Sequence, residues 1–78
     1  MSQYKMEVRG NIGLSDYSNI YDYIGVVGTR DNISIALNTV NQENIYIICS
    51  MLIDSNFSIY EQGWDVYGNY YINAVKNN

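Results

Sequence analysis

The stretch Asn41–Phe57, NQENIYIICSMLIDSNF, is the longest apolar run of the chain and has the signals of both a helix start and a helix end. Four residues follow the i, i+3, i+4, i+7 spacing that places side chains on one side of a helix: Ile45, Ile48, Cys49 and Leu52. Asn41 is suited to cap the first turn, and Asn56 can adopt the left-handed conformation that follows a last turn. The stretch therefore predicts a helix whose apolar side faces the core.

Tyr46 and Ile53 lie on the opposite side of this predicted helix, where a surface helix usually has charged residues. Either another part of the chain or a second molecule covers them. We predict Tyr46 and Ile53 as the interface of a homodimer. The alternative is that a loop from the N-terminal half of the chain folds over them.

The segments on either side of this helix follow other patterns. Residues 4–12 and 33–38 alternate apolar and polar side chains, as half-buried strands do. Residues 57–62 and 70–76 alternate in the same way and predict a C-terminal β-hairpin with a long tip. Residues 15–27 have helical spacing instead, with Ser15 as the expected cap and Gly28 as the expected end.

The resulting order, β-α-β-α-β-β, predicts a single α+β domain over residues 1–78. We expect a two-layer sandwich with a four-stranded mixed sheet and two helices on one face of it. The alternative pairs residues 23–27 with residues 33–37 as a hairpin, which gives a mainly antiparallel sheet with a single long helix. The sequence does not determine the strand order.

Composition excludes several classes of function. Four basic and eight acidic residues give a net charge of −4, which argues against direct nucleic-acid binding because that affinity comes largely from Lys and Arg. With no histidine and one cysteine, the ligand sets of zinc sites are absent and no internal disulfide can form. The opening residues, MSQYKMEV, lack the charged and apolar blocks of a signal peptide, and no apolar run approaches the ~20 residues that span a bilayer. We therefore expect a cytoplasmic protein that binds no membrane, cofactor or metal.

Aromatic content is the unusual quantity, with nine tyrosines and one tryptophan in 78 residues. Tyrosine and tryptophan are enriched at protein interfaces, and several of these rings cannot fit into so small a core. The predicted partner-binding surface is the aromatic, acidic face and tip of the C-terminal hairpin: Tyr60, Glu61, Trp64, Asp65, Tyr67 and Tyr71. The alternative is that these rings only cover the edge of a thin core.

Catalytic residues are not expected. Glu61 and Asp65 are the closest pair of carboxylates in an aromatic setting, and such pairs can hydrolyse glycosides or hold a divalent ion. No third acid lies nearby in sequence, and no arrangement that would activate a nucleophile is present. The sequence therefore predicts a protein that is not an enzyme.

Together these features predict a non-enzymatic protein–protein interaction module that docks on a larger, more basic protein. The most specific form of this prediction is an inhibitor encoded by a phage or other mobile element, acting on a host nucleic-acid-handling or defence complex as anti-CRISPR proteins do. The alternative is a regulatory module that acts as a homodimer and binds a small molecule between the open face of the sheet and the second copy, with Tyr60, Tyr71 and Trp64 stacking on the ligand.

Overall fold

A computed structural model describes residues 2–38 and 41–78 of the chain. It contains four strands and two helices in the predicted order: β1 (Gln3–Val8), α1 (Leu14–Gly25), β2 (Asn32–Leu37), α2 (Gln42–Asp54), β3 (Phe57–Trp64) and β4 (Tyr70–Lys76). The α+β prediction is confirmed. The alternative with a single long helix is wrong, because residues 14–25 are helical.

The strand order of the sheet is β1-β2-β4-β3. β1 and β2 are parallel, and β4 is antiparallel to both of its neighbours, β2 and β3. The two β-α-β crossovers run in the same direction across the sheet, so crossovers of one hand place both helices on the same face. β1, β2 and β3 point the same way, which brings their carboxyl ends, the first turns of both helices and the β3–β4 turn to one end of the molecule. We call this end the tip end.

The core lies between the helices and one face of the sheet. Both helices and all four strands contribute to it, and isoleucine is the commonest residue in it. Its buried side chains are Val8, Ile20, Ile24, Val27, Ile33, Ile35, Leu37, Ile48, Leu52, Phe57, Ile72 and Ala74. Neither of the two described helices lies over the opposite face of the sheet, which we call the open face.

The ends of α2 agree with the sequence prediction. The Asn41 side chain accepts a hydrogen bond from the backbone N–H of Asn44 at 3.0 Å, and the Asn44 side chain accepts one from the N–H of Asn41 at 3.2 Å. These reciprocal bonds satisfy two donors that a helix start leaves free. Asn56, just past the helix, has a φ of 69°, in the left-handed region.

The bounds of α1 differ from the prediction. The helix begins at Leu14, and its cap is Gly13, whose N–H donates to the Asp16 carboxylate at 2.9 Å. Ser15 is therefore inside the first turn. The helix also ends at Gly25, three residues before the expected Gly28. Asp16 explains the earlier start, because its carboxylate binds back to the chain one turn before it.

A β-bulge between Ile59 and Glu61 changes the faces of β3. Ile59 opposes Ala74, but Glu61 opposes Asn73 and Gln62 opposes Ile72, so Tyr60 has no partner in the register. Strict alternation from Phe57 and Ile59 would place Glu61 on the core side. The extra residue moves Glu61 to the open face instead.

Two isoleucines of α2 test this placement of the core. Ile48→Val should lower the free energy of unfolding by about 0.5–1.5 kcal/mol, because Ile48 is fully buried and loses a packed methylene. The control Ile53→Val makes the same change on the exposed side of the same helix and should cost less than about 0.5 kcal/mol. Urea unfolding followed by circular dichroism measures both. Equal losses would contradict the assigned orientation of α2.

Candidate functional site

The turn between β3 and β4 is organised by Asp65. Its backbone N–H donates to the carbonyl of Asn69 at 2.8 Å, and its own carbonyl accepts from the N–H of Gly68 at 3.2 Å. Its carboxylate oxygen Oδ1 accepts from the N–H of Tyr67 at 2.8 Å and from that of Asn69 at 3.0 Å. Four hydrogen bonds therefore hold a five-residue turn, and Gly68 supplies the positive φ of 84° that the turn needs.

This ordered turn projects apolar side chains into solvent. Val66 is 92% exposed and Tyr67 is 85% exposed. Trp64, at the end of β3, is 57% exposed, and its ring makes an edge-to-face contact with Tyr70 at 5.0 Å between centroids. We call Trp64, Val66 and Tyr67 the tip surface. Val66 is not among the residues predicted from the sequence, because a single valine in a turn has no neighbours in an alternating pattern.

The tip surface joins α2 through side chains on the helix side of the sheet. Trp64 opposes Tyr70 in the register. The Tyr70 hydroxyl donates to the Gln62 side-chain oxygen at 3.0 Å, and the Cys49 thiol of α2 contacts the same oxygen at 3.4 Å. Tyr46 lies one helical turn before Cys49. The base of the tip is therefore fixed to the middle of α2.

Tyr46 and Ile53, the predicted dimer interface, are 73% and 62% exposed on α2. Because they are seven residues apart, they lie on the same side of the helix. The alternative, in which a loop from the N-terminal half covers them, does not hold for the residues that the structure describes. Their role in a dimer stays a prediction.

The six residues of the predicted partner-binding surface do not form one surface. Glu61 and Tyr71 oppose open-face residues of the neighbouring strands, whereas Trp64 lies on the helix side. Asp65 is used within its own turn, and Tyr67 is at the tip. Tyr60 lies at the bulge, where more than half of its surface is exposed. The structure therefore separates an open-face group from a tip group.

The open face contains a chain of side-chain hydrogen bonds that crosses all four strands. Gln3 Nε2 donates to Ser34 Oγ at 3.2 Å, Ser34 Oγ donates to Asn73 Oδ1 at 2.7 Å, and Asn73 Nδ2 donates to Glu61 Oε1 at 2.9 Å. The chain runs in one donor direction and ends on a carboxylate, an arrangement in which each bond polarises the next. Glu61 thus accepts a hydrogen bond from the neighbouring strand, and its carboxylate is not paired with that of Asp65.

Beside this chain, the open face has a shallow depression of about 350 Å³. Side chains of β1, β2 and β4 line it, among them Lys5, Glu7, Ser34, Ala36 and Tyr71. Serine and alanine are small, so the space above β2 is left unfilled between larger side chains on either side. In the described ranges, 2–38 and 41–78, no group of three acidic, histidine or cysteine side chains could hold a metal ion.

The four basic residues are unevenly placed, because the sequence has no Lys or Arg between Asp31 and Val75. Arg9 forms an ion pair with Glu7 at 2.7 Å. Arg30 donates to the Asn78 side chain at 3.1 Å. Lys76 donates to the Ser55 carbonyl at 2.7 Å and lies 5.0 Å from the centre of the Phe57 ring. Both helices and the hairpin tip are therefore free of basic side chains.

In comparisons with known proteins, no family model, curated protein or solved structure matches this chain. Neither of the two described helices has the length and apolar character needed to cross a membrane. The geometry of the tip surface and of the open face is therefore the basis for the function proposed below.

The role of Asp65 can be tested with two substitutions. Asp65→Ala removes the acceptor for two backbone N–H groups, so the amides of Tyr67 and Asn69 should exchange with solvent at least about tenfold faster. Asp65→Asn keeps a side-chain oxygen at the same place and should change the exchange much less. Hydrogen exchange measured by NMR distinguishes them. If both variants exchange like the wild type, Asp65 does not hold the turn.

Two groups under the tip predict a loss of stability at alkaline pH. Burial raises the pKa of the Cys49 thiol above its ordinary value of 9.0. Burial, followed by the negative charges of Cys49 and Tyr71, raises the pKa of Tyr70 above its ordinary 10.0. The unfolded chain then releases these protons at lower pH than the folded chain, so stability is complete below pH 9 and falls as pH rises further.

We therefore expect the melting temperature to decrease between pH 9 and pH 11. Cys49→Ser should remove the part of this decrease that begins near pH 9, and Tyr70→Phe the part that begins near pH 10. Circular dichroism melts over a pH series measure this. A decrease of the same size in Cys49→Ser and the wild type would contradict the assignment to the thiol.

Proposed function

We propose that this chain is a non-enzymatic protein–protein interaction module that docks on a larger, more basic protein through its tip surface. The observation that carries the proposal is the exposure of Val66 and Tyr67 on a turn that four hydrogen bonds hold in place. A fixed turn loses little conformational entropy when it binds, so its apolar contacts contribute more fully to affinity. Tyr and Trp are also the residue types that most often dominate binding energy.

Charge indicates the chemistry of the partner. Asp16 and Glu43 lie in the first turns of the two helices, and Asp65 lies in the tip turn, so three carboxylates lie at the same end of the molecule as the tip surface. The basic residue near this end, Arg9, is already paired with Glu7. Negative charge at the end that bears the exposed aromatic residues favours a partner with a basic surface, because complementary charge raises the association rate and gives specificity.

Proteins that handle nucleic acids have such basic surfaces, because they neutralise phosphates with Lys and Arg. We therefore place the partner in this class. The fuller form of the proposal is a cytoplasmic inhibitor encoded by a phage or mobile element, which blocks a host defence complex as anti-CRISPR proteins do. The genes that flank the coding sequence test the proposed origin, and a setting with no phage, mobile-element or defence gene would contradict it.

A second candidate function is a regulatory module that binds a small molecule and acts as a homodimer. The depression beside Tyr71 favours it. Trp64 lies on the other face of the sheet, so a ligand there would contact Tyr71 without Trp64. The dimer would use Tyr46 and Ile53. Light scattering of the wild type and of Tyr46→Ser/Ile53→Ser tests this, and a wild-type mass of one 9.0 kDa chain would contradict the dimer.

A pull-down from a host lysate is the means of capturing the partner, and the affinity for this captured partner should depend on one face of the protein. Trp64→Ala and Tyr67→Ser should each weaken binding at least about tenfold, or ~1.4 kcal/mol, because they remove the aromatic centre of the interface. The matched controls are Tyr71→Ala on the open face and Tyr21→Ser, which removes an exposed tyrosine from α1. Both should bind like the wild type. Association should also slow as salt is raised.

Titration calorimetry of each purified variant with the partner gives these affinities. Melting curves for every variant confirm that the fold is retained. Loss of binding in Tyr71→Ala with full binding in Trp64→Ala and Tyr67→Ser would overturn the proposal and transfer the interface to the open face.

A further inference from the structure

We infer that the depression on the open face is a binding site for a small planar aromatic carboxylate. Its volume, about 350 Å³, is at the lower end of the range of ~300–1,000 Å³ that is typical of ligand sites and suits one or two rings. The floor is Ser34 and Ala36 of β2. Tyr71 of β4 lies on one side, and Lys5 and Glu7 of β1 lie on the other.

The Tyr71 ring has a defined place because residue 63 lacks a side chain. A Cβ on Gly63 would lie 3.5 Å from the Tyr71 hydroxyl oxygen and 3.7 Å from its Cζ, so the ring lies directly beside the glycine. On the other side of β4, Tyr71 opposes Ala36 in the register. An aromatic ring above Ala36 can therefore contact both a methyl group and the Tyr71 ring.

The charge of the site favours an anion. Lys5 is the one basic residue whose side chain has no hydrogen bond or ion pair within residues 2–38 and 41–78. Glu7, the carboxylate that lines the depression, forms an ion pair with Arg9 at 2.7 Å, which balances its charge. In a chain of net charge −4, the depression thus retains one unbalanced positive charge.

The backbone that carries Lys5 is also fixed. The Tyr23 hydroxyl of α1 donates to the Lys5 carbonyl at 2.8 Å on the free edge of β1. Ser34 on the floor accepts a hydrogen bond from Gln3 and donates its only hydroxyl proton to Asn73, so it has no donor left for the ligand. The carboxylate of the ligand would then bind the Lys5 ammonium while its ring lies over Ala36 against Tyr71.

This site and the tip surface use opposite faces of the sheet. If no ligand binds the depression, the docking proposal still stands. If the tip surface binds no protein partner, the ligand site still stands. Binding of an aromatic carboxylate deepens only the second candidate function, for which it names the class of ligand.

An NMR titration with three soluble probes tests the inference. Benzoate is both aromatic and anionic, benzamide is aromatic and uncharged, and cyclohexanecarboxylate is anionic and not aromatic. We expect saturable shifts of the Glu7, Ala36 and Tyr71 amides with benzoate, and affinities at least fivefold lower for the other two probes. The absence of saturable shifts with benzoate up to about 20 mM would overturn the site, since a dissociation constant above that concentration is too weak for a functional ligand site.

Variants make the test specific to the depression. Lys5→Gln should weaken benzoate binding at least fivefold, whereas Arg30→Gln, which changes the net charge equally but does not line the depression, should not. Ala36→Met fills the depression from its floor and should abolish the shifts. Equal binding by Lys5→Gln and Arg30→Gln, or wild-type binding by Ala36→Met, would overturn the inference.

Discussion

Coverage of the sheet on one face only is the constraint on which the rest of this structure depends. Two helices pack on one face, and every strand must therefore separate its apolar from its polar side chains. Isoleucine meets this requirement well in both layers, since its branched side chain suits strands and fills the space beneath the helices. The open face must then satisfy its own polar groups, and the hydrogen-bonded chain from Gln3 to Glu61 does so across all four strands.

The bulge at Tyr60 adjusts this separation within β3. Before the bulge, Phe57 and Ile59 contribute to the core or pack against it. After it, Glu61 completes the polar chain on the open face, while Gln62 and Trp64 lie on the helix side against Tyr70. One inserted residue thus directs the carboxylate away from the helices and the indole ring towards them. It also twists an edge strand that would otherwise offer a flat edge for pairing with another chain.

The sequence predicts α2, its caps and the order of the elements well, because those features depend on residues close together in the chain. It does not predict the strand order or the bulge, since both depend on which strands pair and in what register. An alternating pattern therefore cannot predict on which face of the sheet Glu61 and Trp64 lie. Asp65 looked like an acid available to a partner, yet its carboxylate is used by the N–H groups of Tyr67 and Asn69. No sequence pattern indicates that Val66 is exposed at the tip.

The molecule thus has two surfaces of different character, an ordered apolar tip at an end with three carboxylates and a polar open face with a small depression. A hydroxyl-radical footprint of the chain bound to its captured protein partner compares them most directly. Trp64, Val66 and Tyr67 should be protected, with Tyr71 modified as in the free chain. Protection of Tyr71 with full modification of Trp64 and Tyr67 would contradict docking through the tip surface.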